Sequence, residues 1–263
     1  MICLTGDVHQ AGTGDAYHSR FSEVKIAKKY LEIANKKSLK VTLFFTGRTF
    51  EKEWDDIKPL LEYSNLEIGA HTYNALRPTK IHWIFKLLTG SYYGPYLFQK
   101  IDVARTLRII TEKTGRNIVS WRTHCYASDK WTYEILPKFG IRVVSDEVKN
   151  VPYPRKMDNG LISLPINVLP DHDHIFHGIR TPSYVRKELY PDGLSSESYN
   201  VREWLEIVKW QVKNIDEKGG IATLLVHPIC MQVIDRLESF KKLCDFLSDY
   251  DGIFVRDALR YVK

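Results

Sequence analysis

Cysteine is scarce and shows no paired pattern: the four residues, at 3, 125, 230 and 244, share no recurrent spacing. That argues against a disulfide scaffold or a cysteine-based zinc framework. Cys3 and Cys230 sit in or beside apolar runs and read as small core residues. No apolar run approaches the ~20 residues that a membrane span needs. No charged, apolar, small-residue leader precedes the first strand-like run, which begins at residue 2, so the cytoplasm is the expected location. Short-period repeats and low-complexity tracts are also missing. So are long blocks of one charge: 38 Lys and Arg stand against 32 Asp and Glu, and the surplus of +6 is spread over presumed helices, as at Lys25, Lys28 and Lys29. Solvated helix faces explain that distribution better than a nucleic-acid stripe, and no nucleic acid is expected as a partner. The positive balance favours acidic partners such as phosphates or anionic headgroups.

What is present is ordinary for a globular chain: 263 residues, 44% hydrophobic and 27% charged. Short apolar runs alternate with helix-period stretches. ICL is followed by SEVKIAKKYLEIANKK, with Val24, Ala27, Tyr30, Leu31 and Ala34 at helical spacing, and then by the strand KVTLFF. WDDIKPLLEYS leads to LEIGAH, FQKIDVARTLRIITEKTG to NIVSWRTH, and DKWTYEILPKFG to IRVVSDE. A hairpin or strand pair is expected around LISLPINVL, then a polar segment at about 170–198, then VREWLEIVKWQVKNIDEKGG with IATLLVHP, and SFKKLCDFLSDYDG with a last strand IFV. Roughly seven strands without a linker predict one α/β domain over 1–263, with a parallel sheet closed or nearly closed as a distorted seven-stranded (β/α) barrel; a doubly wound open sheet is the alternative.

In such a barrel the polar residues just after each strand share one mouth. Asp7 and His9, two apart on an extended segment, face the same way, a start for a metal or acid/base site. His71, Thr72, Arg122, His124, Tyr126, Asp146, Asp171, His172, His174 and His227 fall at the same register. Four of nine histidines at predicted strand ends is a pattern that points to a metal or acid/base centre.

The stretches LTGDVH, TLFFTG, LEIGAHTYN, SWRTHCY and LLVHP, in this order, resemble the motifs of the polysaccharide deacetylases, metal-dependent sugar N-deacetylases with a distorted (β/α) barrel. The resemblance implies hydrolysis of an N-acyl group, acetyl in the first instance, from an amino sugar, a glycan precursor or a lipid-linked sugar. It gives Asp7 the role of general base, His227 that of general acid and Arg122 that of holding Asp7, with His9 and His71 as metal ligands. Thr72, His124 and Tyr126 are expected to contact the substrate. The division of labour is chemically sensible, since a cation must polarise the amide while separate groups remove and return protons.

Two departures bear on the metal. His9 stands where the family carries a carboxylate, and Ala75 stands where it carries a second histidine. Asp171, His172 and His174, in LPDHDHIFH, are the candidates for the missing ligand; a site of Asp7, His9 and His71 completed by water, or a barrel that binds sugars without cleaving them, are the alternatives. A nitrogen-rich ligand set leans toward zinc, nickel or cobalt. An amidohydrolase acting on a non-sugar C–N bond would share the mechanism. The aromatic insertion at about 79–100, with Trp83, Phe85, Tyr92, Tyr93, Tyr96 and Phe98 among lysines, suits a core or lid, a sugar-stacking wall or a peripheral membrane contact.

Overall fold

The apolar runs become short strands, and the helical-period stretches pack outside them. The computed structural model describes residues 1–12, 22–178, 180–187 and 193–262. Among these, one sheet contains β1 (Ile2–Val8), β2 (Val41–Phe45), β3 (Leu66–Ala70), β4 (Ser120–Trp121), β5 (Val143–Val144), β6 (Arg155–Lys156), β7 (Ile162–Ser163) and β8 (Ala222–Leu225). The strand order is β6-β7-β5-β4-β3-β2-β1-β8, and only β6 with β7 is antiparallel. The seven parallel strands curl into a distorted barrel. Its seam, between the chain beyond β7 and β8, is held by Asn167: its backbone N donates to the Thr223 carbonyl at 3.2 Å, and the Thr223 N donates to its side-chain Oδ1 at 2.8 Å.

The helices are α1 (Glu23–Asn35), α2 (Gly47–Lys52), α3 (Trp54–Ile57), α4 (Thr79–Thr89), α5 (Tyr96–Thr114), α6 (Lys130–Ile135), α7 (Pro182–Val185), α8 (Val201–Glu217), α9 (Pro228–Asp235) and α10 (Glu238–Leu247). Side-chain caps fix several starts, as Ser22 does for α1 and Asn200, paired with Glu203, does for α8. No helix among the described residues is long and apolar enough to cross a membrane.

Strand alternation sorts the core into two layers. Ile2, Leu4, Val8, Val41, Leu43 and Phe45 join the large cluster under the helices, whereas Cys3, Phe44, Val143 and Ile162 belong to a separate cluster with Ile253 and Val255. The polar positions of the second parity fill the barrel interior with hydrogen bonds. Glu67 accepts from Thr42 Oγ1 at 2.7 Å and Ser120 Oγ at 2.6 Å, and its burial raises its pKa. Gly69 is required here because a Cβ would lie 2.5 Å from the Phe44 ring.

Three expected elements differ. IFV does not pair as a strand: Ile2 bridges Gly252 alone, and the chain turns into a 3₁₀ helix over Val255–Arg260. The stretch after Trp54 breaks at Pro59 into α3 and a 3₁₀ turn, Lys58–Glu62, because proline removes a helical N–H. In LISLPINVL only Ile162–Ser163 pairs as a strand; the hairpin partner is Arg155–Lys156, upstream and exposed, which carries no apolar signal. The polar segment at 170–198 contains a π-helical turn, His172–Phe176, and α7; residues 179 and 188–192 lie outside the described residues.

Candidate active site

Asp7 is the last inward-facing residue of β1, and Arg122 follows β4 directly. Arg122 is fully buried and spends its guanidinium on four hydrogen bonds: to Asp7 Oδ1 at 2.9 Å, Thr5 Oγ1 at 2.9 Å, Ser145 Oγ at 2.8 Å and the Ser145 carbonyl at 2.9 Å. Phe44 lies flat beneath it, 4.4 Å from the guanidinium carbon to the ring centre. Burial works against charge on Asp7, but Arg122, with His71 and His227, holds its carboxyl well below the usual carboxylate range. Asp7 is therefore ionised at neutral pH.

His227 caps α9 just beyond β8 and faces Asp7, with Nε2 3.7 Å from Oδ2. Its other edge is held by Asp171, which accepts from Nδ1 at 2.7 Å and from the His227 backbone N at 2.8 Å. Burial disfavours the imidazolium, yet the buried Asp171 carboxylate overrides it and raises the His227 pKa to about 9. A carboxylate base and an imidazolium acid thus stand side by side with their titrations pushed apart, the arrangement that general acid/base chemistry requires.

Next to this pair, His9, His71 and His124 bring ligand atoms within 4.8 Å of one another. His124 Nδ1 lies 3.2 Å from His9 Nε2 and 3.0 Å from His71 Nε2. The tautomers are fixed from behind. His71 Nδ1 donates to the Arg122 carbonyl at 2.5 Å, and His9 Nδ1 to Glu23 at 3.1 Å, so each presents a lone pair on Nε2. Burial lowers the His71 pKa to about 3 and that of His124 well below the ordinary value, keeping both rings neutral. The three imidazoles converge on one point, and a single N–H on His124 Nδ1 can satisfy only one of its two neighbours, so a cation at that point would serve all three. The nitrogen spacings approach the edge of about 3.3 Å of a tetrahedron with Zn–N near 2.0–2.1 Å, so the donor set fits a transition metal. His124 reaches this point through an unusual turn: Cys125 and Tyr126, directly after it, have φ of 53° and 55°.

The cluster opens into a cavity of about 550 Å³ whose walls include Asp7, His9, His124, His227, Tyr126 and Trp83. Thr72 is buried, and its Oγ1 has no hydrogen-bond partner among the described residues. Asp171 and His174 do not join His9 and His71. Asp171 is committed to His227, and His174 is buried with Nδ1 donating to the Glu197 carbonyl at 2.7 Å. His172 and Asp173 stand at the cavity wall, where they form a separate group with His177. The place of the absent family histidine, Ala75, is buried with φ 46°. One residue outside the sequence expectation supports the site: Glu23, at the first turn of α1, orients His9 through both its Nδ1 and its backbone N; Asp171, expected as a metal ligand, instead orients His227. Nothing local marks Glu23, since its partner lies 14 residues away. His124 had a signal, its place two residues after Arg122, but not one that distinguishes a ligand from a substrate contact.

The family model for polysaccharide deacetylase matches residues 15–144. No curated protein matches the chain in sequence. Among solved structures, a Mycobacterium smegmatis protein assigned to the polysaccharide deacetylases is 16% identical over 98% of this chain and 90% of its own, with a TM-score of 0.66. The PuuE allantoinase is 13% identical over 98% of this chain and 88% of its own, with a TM-score of 0.70. A CE4 family pseudoenzyme from Bacillus anthracis is 15% identical over 100% of this chain and 67% of its own, with a TM-score of 0.54. At these identities the likeness is one of fold.

Proposed function

We propose that the chain, whose residues 15–144 match the polysaccharide deacetylase family model, is a divergent member of that family and a metal-dependent hydrolase removing an N-acyl group, acetyl in the first instance, from an amino sugar. The observation that carries this reading is the convergence of His9, His71 and His124 beside an ionised Asp7 and a protonated His227. The three histidines would hold the cation, zinc by donor type, with nickel or cobalt suited to the same set. When bound, it supplies polarisation of the acyl carbonyl and of the attacking water.

The remaining chemistry belongs to the chain. Asp7 takes the proton of the attacking water, whose oxygen bonds to the carbonyl carbon. As the C–N bond breaks, its electron pair stays on nitrogen and His227 Nε2–H delivers a proton there, giving the free amine and a carboxylic acid that loses its remaining proton to water, while the proton on Asp7 passes back to His227. Arg122 keeps Asp7 ionised and aimed, and Asp171 keeps His227 charged and turned toward it. Tyr126, in the cavity wall, is the residue proposed to contact the sugar, whereas Thr72 is fully buried and does not line the cavity. Compared with a carboxylate-containing ligand set, three imidazole ligands would leave more charge on a bound cation.

The test is amine release from a panel of N-acetylated amino sugars, run beside metal analysis. The expected result is about one transition-metal ion per chain and activity that disappears in Asp7→Asn. Retention of no transition metal after reconstitution would remove the metal reading. Stoichiometric metal with tight sugar binding and no amine release would instead favour a catalytically silent carbohydrate-binding barrel, the reading that Ala75 and the likeness to a pseudoenzyme support. Amine release from cyclic or linear amides but not from sugars would favour a non-sugar amidohydrolase, for which the likeness to an allantoinase speaks.

A further inference from the structure

The aromatic segment between β3 and α5 forms a helix that presents its apolar side to solvent. In α4 only His82 is buried, with Nδ1 donating to the Tyr92 carbonyl at 2.9 Å, and Phe85 packs on the ring of Phe98 at 4.9 Å. The opposite side carries Trp83 and Ile84, each 54% exposed, Leu87 at 85% and Leu88 at 74%, and the first turns of α5 add exposed Leu97 at 65% and Ile101 at 59%. Helical spacing places Ile84, Leu87 and Leu88 on one stripe. Most of the large exposed hydrophobic side chains among the described residues lie in α4 and the first turns of α5, and apolar surface concentrated in this way marks an interaction surface.

Charge identifies the partner. From Ile68 to Ile101 the chain has no Asp or Glu, while Arg77, Lys80, Lys86 and Lys100 all fall within it. An apolar stripe carrying tryptophan, flanked by lysines whose stems extend over apolar surface to place the ammonium in the polar layer, matches the boundary between headgroups and acyl chains of an anionic bilayer. At 11 residues α4 is too short to span a membrane and suited to lie in its surface. The patch is also continuous with the candidate active site, because Trp83 and Tyr92 line the same cavity as Asp7, His9 and His124.

We infer that α4 and the first turns of α5 seat this protein in the surface of an anionic membrane, with the cavity opening at headgroup level. Flotation of the full chain with phosphatidylcholine vesicles, with and without phosphatidylglycerol, tests the membrane step. The wild type rises with the anionic vesicles. The double variant Leu87→Ser with Leu88→Ser stays at the bottom with an unchanged melting curve, since both side chains are exposed. Lys80→Glu with Lys86→Glu loses the preference for phosphatidylglycerol. Absence of flotation on either vesicle, or flotation that survives both double variants, overturns the inference. A stable dimer in sedimentation that Leu87→Ser with Leu88→Ser converts to monomer would also overturn it, assigning the patch to a second copy. Flotation is independent of catalysis: a chain that floats but releases no amine from any sugar retains the membrane surface and loses the hydrolase reading.

Discussion

Asp7 and His227 are 3.7 Å apart at their nearest polar atoms, yet each is stable in its charged form because each has a private counter-ion, Arg122 for one and Asp171 for the other. Removing either counter-ion should change titration before it changes fold. With Asp171→Asn the His227 pKa is expected to fall from about 9 toward its ordinary value. The alkaline limb of kcat/KM, which reports loss of the acid proton, then moves to lower pH, and an NMR titration of His227 moves with it. An unmoved limb would show that His227 is not the acid. The sign for stability follows the same pair: a pKa raised on folding contributes stability present in full below the unfolded value of about 6.5. That contribution is lost as pH rises through about 9, so the wild type should lose unfolding free energy over this window and Asp171→Asn should lose much less. Asp7→Asn keeps the shape and removes the base, with an expected fall in kcat/KM of about 10²–10⁴.

At the scale of elements, the ends of β3 and β4 decide the histidine cluster. His71 follows β3 and His124 follows β4 by three residues, and the left-handed turn at Cys125 and Tyr126 lets the chain leave the strand while the imidazole points back to the cluster. His124→Ala should abolish stoichiometric metal binding while leaving the circular dichroism spectrum unchanged; His174→Ala should leave the metal content intact. The reverse outcome would return the third ligand to the LPDHDHIFH segment. Beneath the site, Gly69 gives Phe44 its place under Arg122. Gly69→Ala introduces a methyl group 2.5 Å from that ring, and an overpacked core of this kind costs about 1–3 kcal/mol. Urea unfolding measures it, and the disturbed stacking should lower activity beyond the loss of stability.

For the whole molecule, the barrel depends on closure between the segment after β7 and β8. Asn167 makes it with one side chain, accepting from the Thr223 N and donating to the carbonyls of Val151 and Ile221 at 2.8 and 2.9 Å. Asn167→Ala leaves the buried Thr223 N–H without its side-chain acceptor, with an expected loss of about 1–3 kcal/mol in urea unfolding. A metal held by the proposed site would act on the same global equilibrium, because three histidines from three strand ends converge only in the native state. Zinc at a free concentration about 100 times its Kd should add about 2.7 kcal/mol, roughly 5–10 °C in Tm for a chain of this size. A chelator should reverse the shift, and His124→Ala should not show it.

Strand parity made much of this legible. A residue two positions from another on a strand shares its face, so LTGDVH delivers Asp7 with His9 and SWRTH delivers Arg122 with His124, whatever the rest of the chain does. The barrel class, the order of β and α elements and the set of strand-end polar residues follow from such local periodicity. The short, weakly paired pieces were less legible: β6 has no apolar pattern, and IFV has one without a neighbour to pair with beyond Gly252.

Sequence alone therefore determined which polar residues fall at strand ends, because that depends on spacings of two and of about 3.6 along the chain. Tertiary structure decided which of them meet. The third imidazole beside His9 and His71 is His124, 115 and 53 residues away, and the carboxylate Asp171, 56 residues from His227, sits on that histidine rather than in the histidine cluster. Those choices rest on inter-strand register and on how the seam closes. Both are set by packing across the barrel and leave no mark on any local pattern.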